Sequence, residues 1–100
     1  MRKLTNLQRA YLQRQAHALK PMVQIGKQGL TEGVRMSVDQ ALENHELIKV
    51  KFLDFREQRQ ALTDDLVRAT ASEVIGLIGN IAILFREQPD PDRRKIWLPV

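Results

Sequence analysis

Lys20–Thr31, KPMVQIGKQGLT, holds a short strand, a glycine-bracketed basic loop and a helix start in series. Pro21 fixes its own φ and pushes Lys20 out of the α region, so a preceding helix must end there. Met22–Ile25 is a short apolar run with Gln24 as its one polar member, and predicts a strand. Gly26, Lys27, Gln28 and Gly29 can then turn sharply and bring backbone N–H groups close to a ligand. Leu30 and Thr31 fit the residue before a helix N-cap and the cap itself. Loop amides, a helix N-terminus and the Lys27 charge together suit a phosphate-sized anion.

Toward the N-terminus, residues 5–19 predict a helix that opens on a Thr5/Gln8 capping box. Leu7, Ala10, Tyr11, Ala18 and Leu19 are expected in a core, with Leu12 and Ala16 widening the stripe. Arg9, Gln13, His17 and Lys20 follow helical spacing and project as one polar ridge, which Arg2 joins if the helix starts early. A ridge of this kind opposite the core is either a solvated face or a track leading to Lys27.

On the other side, residues 31–44 predict a second helix with Leu30, Val34, Val38, Ala41 and Leu42 on its apolar face. Glu32 in its first turn suits the helix dipole and is expected to point away from the loop. Leu47–Leu53 alternates Ile48, Val50 and Phe52 with Lys49 and Lys51, a half-buried strand with both lysines on one face. A third helix is expected over residues 60–75, or from a later start capped by Thr63, with Leu62, Leu66, Val67, Thr70, Ala71 and Val74 in its buried stripe. Gly76–Gly79 repeats the Gly-x-x-Gly spacing but carries no base and follows a helix, so it reads as a C-cap and turn, with phosphate binding there the lesser alternative. Residues 80–86 predict a strand with Ile81, Ile83 and Phe85 on one face. Pro89 and Pro91 mark a turn, and Ile96–Leu98 would close a hairpin ending at Pro99. Trp97 suits a core or edge position better than a base-stacking platform.

The element order is α-β-α-β-α-β-β. It implies an α+β (α/β sandwich) fold with one mixed four-stranded sheet, in a single domain over residues 1–100. An apolar fraction of 43% and a charged fraction of 28% are ordinary for a soluble globular chain, and no apolar run approaches membrane-spanning length. The cytoplasm is the expected compartment. With no cysteine there is neither disulfide nor thiolate chemistry.

The net charge of +4 is distributed unevenly. No acid precedes Glu32, whereas Arg2, Lys3, Arg9, Arg14, Lys20 and Lys27 all fall before it. Such a field suits a polyanion. His17 and His45 have no partner at ligand spacing, the phosphate-loop pattern of nucleotide hydrolases is absent, and adjacent Asp64 and Asp65 diverge on a helix. No catalytic constellation, metal site, cofactor or small-molecule substrate is expected.

IGKQGLTEGV at 25–34, HELIKVKF at 45–52 and LIGNIAILFR at 77–86 resemble the signature blocks of the CRM domain, the YhbY-like RNA-binding family. Ala16, His17, Leu19, Lys20 and Pro21 resemble it too, as does the closing Ile96–Pro99. The resemblance spans essentially the whole chain and is nearest the single-domain bacterial type. Phe85 departs from it, standing where tyrosine is common. The resemblance implies a KH-like fold similar to the C-terminal domain of translation initiation factor three. It also implies a non-enzymatic RNA partner, for bacterial members precursors of the large ribosomal subunit. The family's Gly-x-x-Gly loop falls on Gly26, Lys27, Gln28 and Gly29. Arg9, His17 and Lys20 would extend that contact, with Lys49, Lys51 and Arg86 in second rank. A module docking on a ribosomal protein or translation factor is the alternative.

Overall fold

The computed structural model describes residues 3–100; Arg2, placed on the first-helix ridge above, lies outside that range. Its elements are α1 (Asn6–Ala16), β1 (Val23–Ile25), α2 (Glu32–His45), β2 (Leu47–Phe52), α3 (Arg59–Thr70), β3 (Glu73–Ile78) and β4 (Ile81–Phe85). Short 3₁₀ turns cover Arg56–Gln58 and Pro91–Arg93. The sheet order is β1-β2-β4-β3. The β1–β2 pair is parallel, as a strand-helix-strand crossover requires, and β4 is antiparallel to both β2 and β3. The expected α+β architecture with one mixed four-stranded sheet is present.

Helices pack on both faces of the sheet. Val23, Ile25, Ile48, Val50, Phe52, Ala82 and Leu84 pack with Val38 and Leu42 of α2 and Leu66 of α3. Leu47, Ile75, Ile83 and Phe85 pack on the opposite face with Leu12 and Ala16 of α1 and with Leu4. Ile96 and Leu98 join this second cluster. Strict alternation along β2 and β4 divides their side chains between the two cores, as the period-two reading predicts.

Both early caps form as expected. The Thr5 hydroxyl accepts the Gln8 amide at 3.1 Å while the Gln8 side chain accepts the Thr5 amide at 3.0 Å. The Thr31 hydroxyl accepts the Val34 amide at 3.1 Å.

Three expectations are corrected. First, α1 ends at Ala16 and is rotated relative to the predicted stripe. Leu12 and Ala16 are its fully buried residues, while Leu7 is 53% exposed and Ala18 is also exposed. Lys20 therefore lies beyond the helix, and Arg9 and Gln13 flank the core rather than oppose it.

Second, the third helix stops at Thr70. Ala71 takes a left-handed conformation, φ 52° and ψ 44°, and closes the helix without a glycine. The chain then forms β3 across the stretch read as helix end and glycine turn. Gly76 lies inside this strand, beside a register shift between Val74 and Gly76, and only Gly79 takes the turn.

Third, Ile96–Leu98 is not a strand. The fourth strand is β3, hairpin-paired to β4. The tail packs as irregular chain, held by the buried carboxylate of Glu46. That carboxylate accepts the amides of Gln88 (2.9 Å), Lys95 (2.6 Å) and Ile96 (3.0 Å).

Candidate functional site

The carboxyl ends of parallel β1 and β2 lie side by side, and the loop after each strand shapes the site. The amide of Leu53, just past β2, donates to the Ile25 carbonyl at 2.8 Å and fixes the base of the Gly26–Gly29 loop. Within the loop the Gly29 amide donates to the Gly26 carbonyl at 3.0 Å, closing a four-residue turn. The Thr31 amide then donates to the Gly29 carbonyl at 3.0 Å and leads into α2. Gly29 has φ +71°, a conformation that disfavours any side chain. Its α-carbon is buried against the ring of Phe55, which would lie 3.6 Å from an added β-carbon. Gly26 differs: nothing lies within 4 Å of its hypothetical β-carbon, so its missing side chain leaves open approach to the backbone. Lys27 and Gln28 form the exposed tip.

The loop delivers the chain to the N-terminus of a 14-residue helix. Thr31 satisfies the Val34 amide, so the first-turn amides of Glu32 and Gly33 remain without intrahelical acceptors. Their partial positive charge adds to that of Lys27. The Glu32 carboxylate turns to Arg35, 3.9 Å away, and lines the groove between α2 and α3 with Met36, Asp39 and Thr70. It therefore points away from the loop, as expected.

Lys51 lies on the α1 face of the sheet, opposite Gln24 of β1 and Ile81 of β4. Lys49 lies on the same face, opposite Ile83. Its ammonium donates to the Leu19 carbonyl at 3.0 Å, and its carbonyl accepts the Met22 amide at 2.9 Å. These bonds dock the segment carrying His17 and Lys20 onto β2, on the half of the sheet bordered by β1. His17 caps the C-terminus of α1, and both His17 and Lys20 are exposed.

Arg9 and Arg86 are placed elsewhere. The strands are read from Leu47 at one end to Lys51 at the other, and the loop lies past Lys51. Phe85 and Glu73 share the row of Leu47. Arg9 donates to the Val74 carbonyl at 2.9 Å and pairs with Glu73 at 3.4 Å. Its neighbour Gln13 donates to the Ile75 carbonyl at 3.0 Å. Together they occupy carbonyls of the edge strand where the register shift leaves β3 irregular. Arg86 follows Phe85 and projects to the other face. It donates to Asp39 (2.7 Å) and to the Thr70 carbonyl (2.8 Å), with Glu43 at 3.6 Å. The guanidiniums of Arg9 and Arg86 thus hold the far end of the sheet, about 13 Å or more from the loop by strand rise. The ridge from Arg9 to Lys20 reaches the loop side only through His17 and Lys20.

Phe55 escaped the sequence reading as part of the site. It adopts φ 58° and ψ 39°, with its amide donating to its neighbour Asp54 at 2.7 Å. The only sequence signal is Asp54 itself, a residue type that stabilises such turns. Among the described residues, no three His, Cys, Asp or Glu side chains cluster as a metal site, and no helix is long and apolar enough to cross a membrane.

This arrangement of helices on both sides of a mixed four-stranded sheet, with a basic glycine loop opening α2, defines the class to which the chain is similar. The family model of the CRS1/YhbY (CRM) domain matches residues 4–86, and the chain belongs to that family. A Haemophilus influenzae RNA-binding protein is 40% identical over 100 residues, covering 99% of this chain and 98% of its own. A Pseudomonas aeruginosa protein named "Probable RNA-binding protein" is 40% identical over 91 residues, covering 90% of this chain and 88% of its own. The solution structure of a Staphylococcus aureus protein superposes with a TM-score of 0.78 at 37% identity, covering 97% of this chain and all of the other.

Proposed function

We propose that this chain binds RNA without catalysing a reaction, and that its target is ribosomal RNA in precursors of the large ribosomal subunit. The observation that carries the reading is the exposed Lys27 at the tip of a glycine loop that opens directly into the N-terminus of α2. Membership of a family whose relatives are named RNA-binding proteins supports RNA as the polyanion. Gly26 admits the sugar-phosphate backbone, Lys27 neutralises a phosphate, and Gln28 donates to its oxygens. Gly29 holds the loop in shape against Phe55. Lys51, Lys20 and His17 continue the contact along the α1 face, while Lys49 positions the segment that carries two of them. Arg9 and Arg86 serve the fold.

Crosslinking in cells, followed by sequencing of the bound RNA, tests the target. Large-subunit ribosomal RNA should dominate the wild-type crosslinks and fall sharply for Lys27→Glu. Crosslinks spread evenly over cellular RNA, or unchanged in the variant, would contradict the proposal.

A further inference from the structure

The cross-strand row that includes Lys51 extends beyond the contacts described so far. Register places Gln24, Lys51, Ile81 and Ile78 side by side across all four strands, on the face that carries α1. The next rows toward the far end are covered: Ile83, Phe85, Leu47 and Ile75 are buried under Leu12 and Ala16. The Gln24 row is covered only in part, at Ile81, which packs against this cluster. Gln24 is exposed, Lys51 and Ile81 are half-buried, and Ile78 is 64% exposed. Leu53, the first residue past β2, is 56% exposed. Its amide is the one that anchors the Gly26–Gly29 loop. The row therefore borders the loop, about 7 Å from it along β1. One half is apolar and the other offers an amide and an ammonium, and its continuity with the basic loop makes it complementary to a polyanion that also has flat apolar parts.

We propose that this row seats the base of an unpaired nucleotide, so that the protein selects single-stranded RNA. This rests on the loop reading of the preceding subsection and deepens it. With the phosphate at Lys27, the attached base reaches back over the sheet. Its face packs on Ile81 beside Ile78 and Leu53, and its edge meets Lys51. A base locked in a duplex cannot turn its face to the sheet, so the apolar part of the row contributes nothing to duplex binding.

The test measures binding of a short oligouridine and of an RNA duplex of equal phosphate count, for wild type, the double variant Ile78→Ser/Leu53→Ser, and Lys27→Glu. Both replaced residues are exposed, and circular dichroism confirms folding. The double variant should lose about five- to tenfold in affinity for oligouridine, from the loss of apolar contact, with duplex binding unchanged. Lys27→Glu should weaken both ligands. Unchanged oligouridine binding by the folded double variant, with Lys27→Glu still defective, overturns the base seat and leaves the loop standing. Equal losses on both ligands in the double variant also overturn it. Wild-type binding by Lys27→Glu would instead remove the loop on which the seat depends.

Discussion

The ring of Phe55 lies against the α-carbon of Gly29, and both residues have positive φ, 58° and 71°. Two turns, one after β1 and one after β2, are thereby pressed together in left-handed conformations. Each keeps the other in place, so the basic loop has a fixed shape rather than that of a free glycine linker.

The two loop glycines should separate stability from binding. Gly29→Ala introduces a side chain at positive φ and should cost about 1–2 kcal/mol of unfolding free energy in a urea titration. Gly26→Ala meets no atom within 4 Å and should leave stability within about 0.5 kcal/mol of wild type. It should still weaken RNA binding, because the added methyl occupies the space through which the backbone is approached.

Arginine contacts give the opposite result. Arg86 bonds Asp39 and the Thr70 carbonyl with only 20% of its side chain exposed, so Arg86→Ala should cost about 2 kcal/mol. Arg9→Ala should cost about 1 kcal/mol by freeing the Val74 carbonyl. Neither should change the salt dependence of RNA affinity, measured as the log–log slope, because both guanidiniums are engaged by protein acceptors.

Glu46 holds the tail. It is 1% exposed and is the acceptor for three amides of the segment from Gln88 to Ile96. Glu46→Ala should destabilise by about 2–4 kcal/mol. Hydrogen exchange read residue by residue should show the amides of Gln88, Lys95 and Ile96 losing protection before those of β2 and β4.

Thr63 offers a gain. Its hydroxyl is fully buried and, among the described residues, has no hydrogen-bond partner. Thr63→Val keeps the shape and removes the orphaned group, which should stabilise by about 1 kcal/mol. Thermal unfolding should then shift upward by about 4–8 °C.

Much of this was legible from the residues. Alternation in Leu47–Phe52 and Ile81–Phe85, together with the caps at Thr5 and Thr31, led directly to the elements observed. The third helix ran too long because Ala71 and Val74 continue its spacing, and nothing in the sequence marks Ala71 as a left-handed cap. β3 was hidden by Gly76, which reads as a terminator, and by the register shift that breaks its alternation. Ile96–Leu98 has strand composition, but the edge beside β4 is already filled by β3. At the candidate site, the loop and its lysine were visible as a local pattern. The roles of Arg9, Arg86, Glu46 and Phe55 were not, because each depends on a partner distant in sequence or on a backbone conformation.

The central claim is that Lys27, at the tip of the Gly26–Gly29 loop, neutralises an RNA phosphate. The direct test is RNA affinity across a salt series for wild type and Lys27→Ala. The account predicts weaker binding and a log–log slope reduced by roughly one unit in the variant, at unchanged stability. Parallel lines with equal affinity would contradict it.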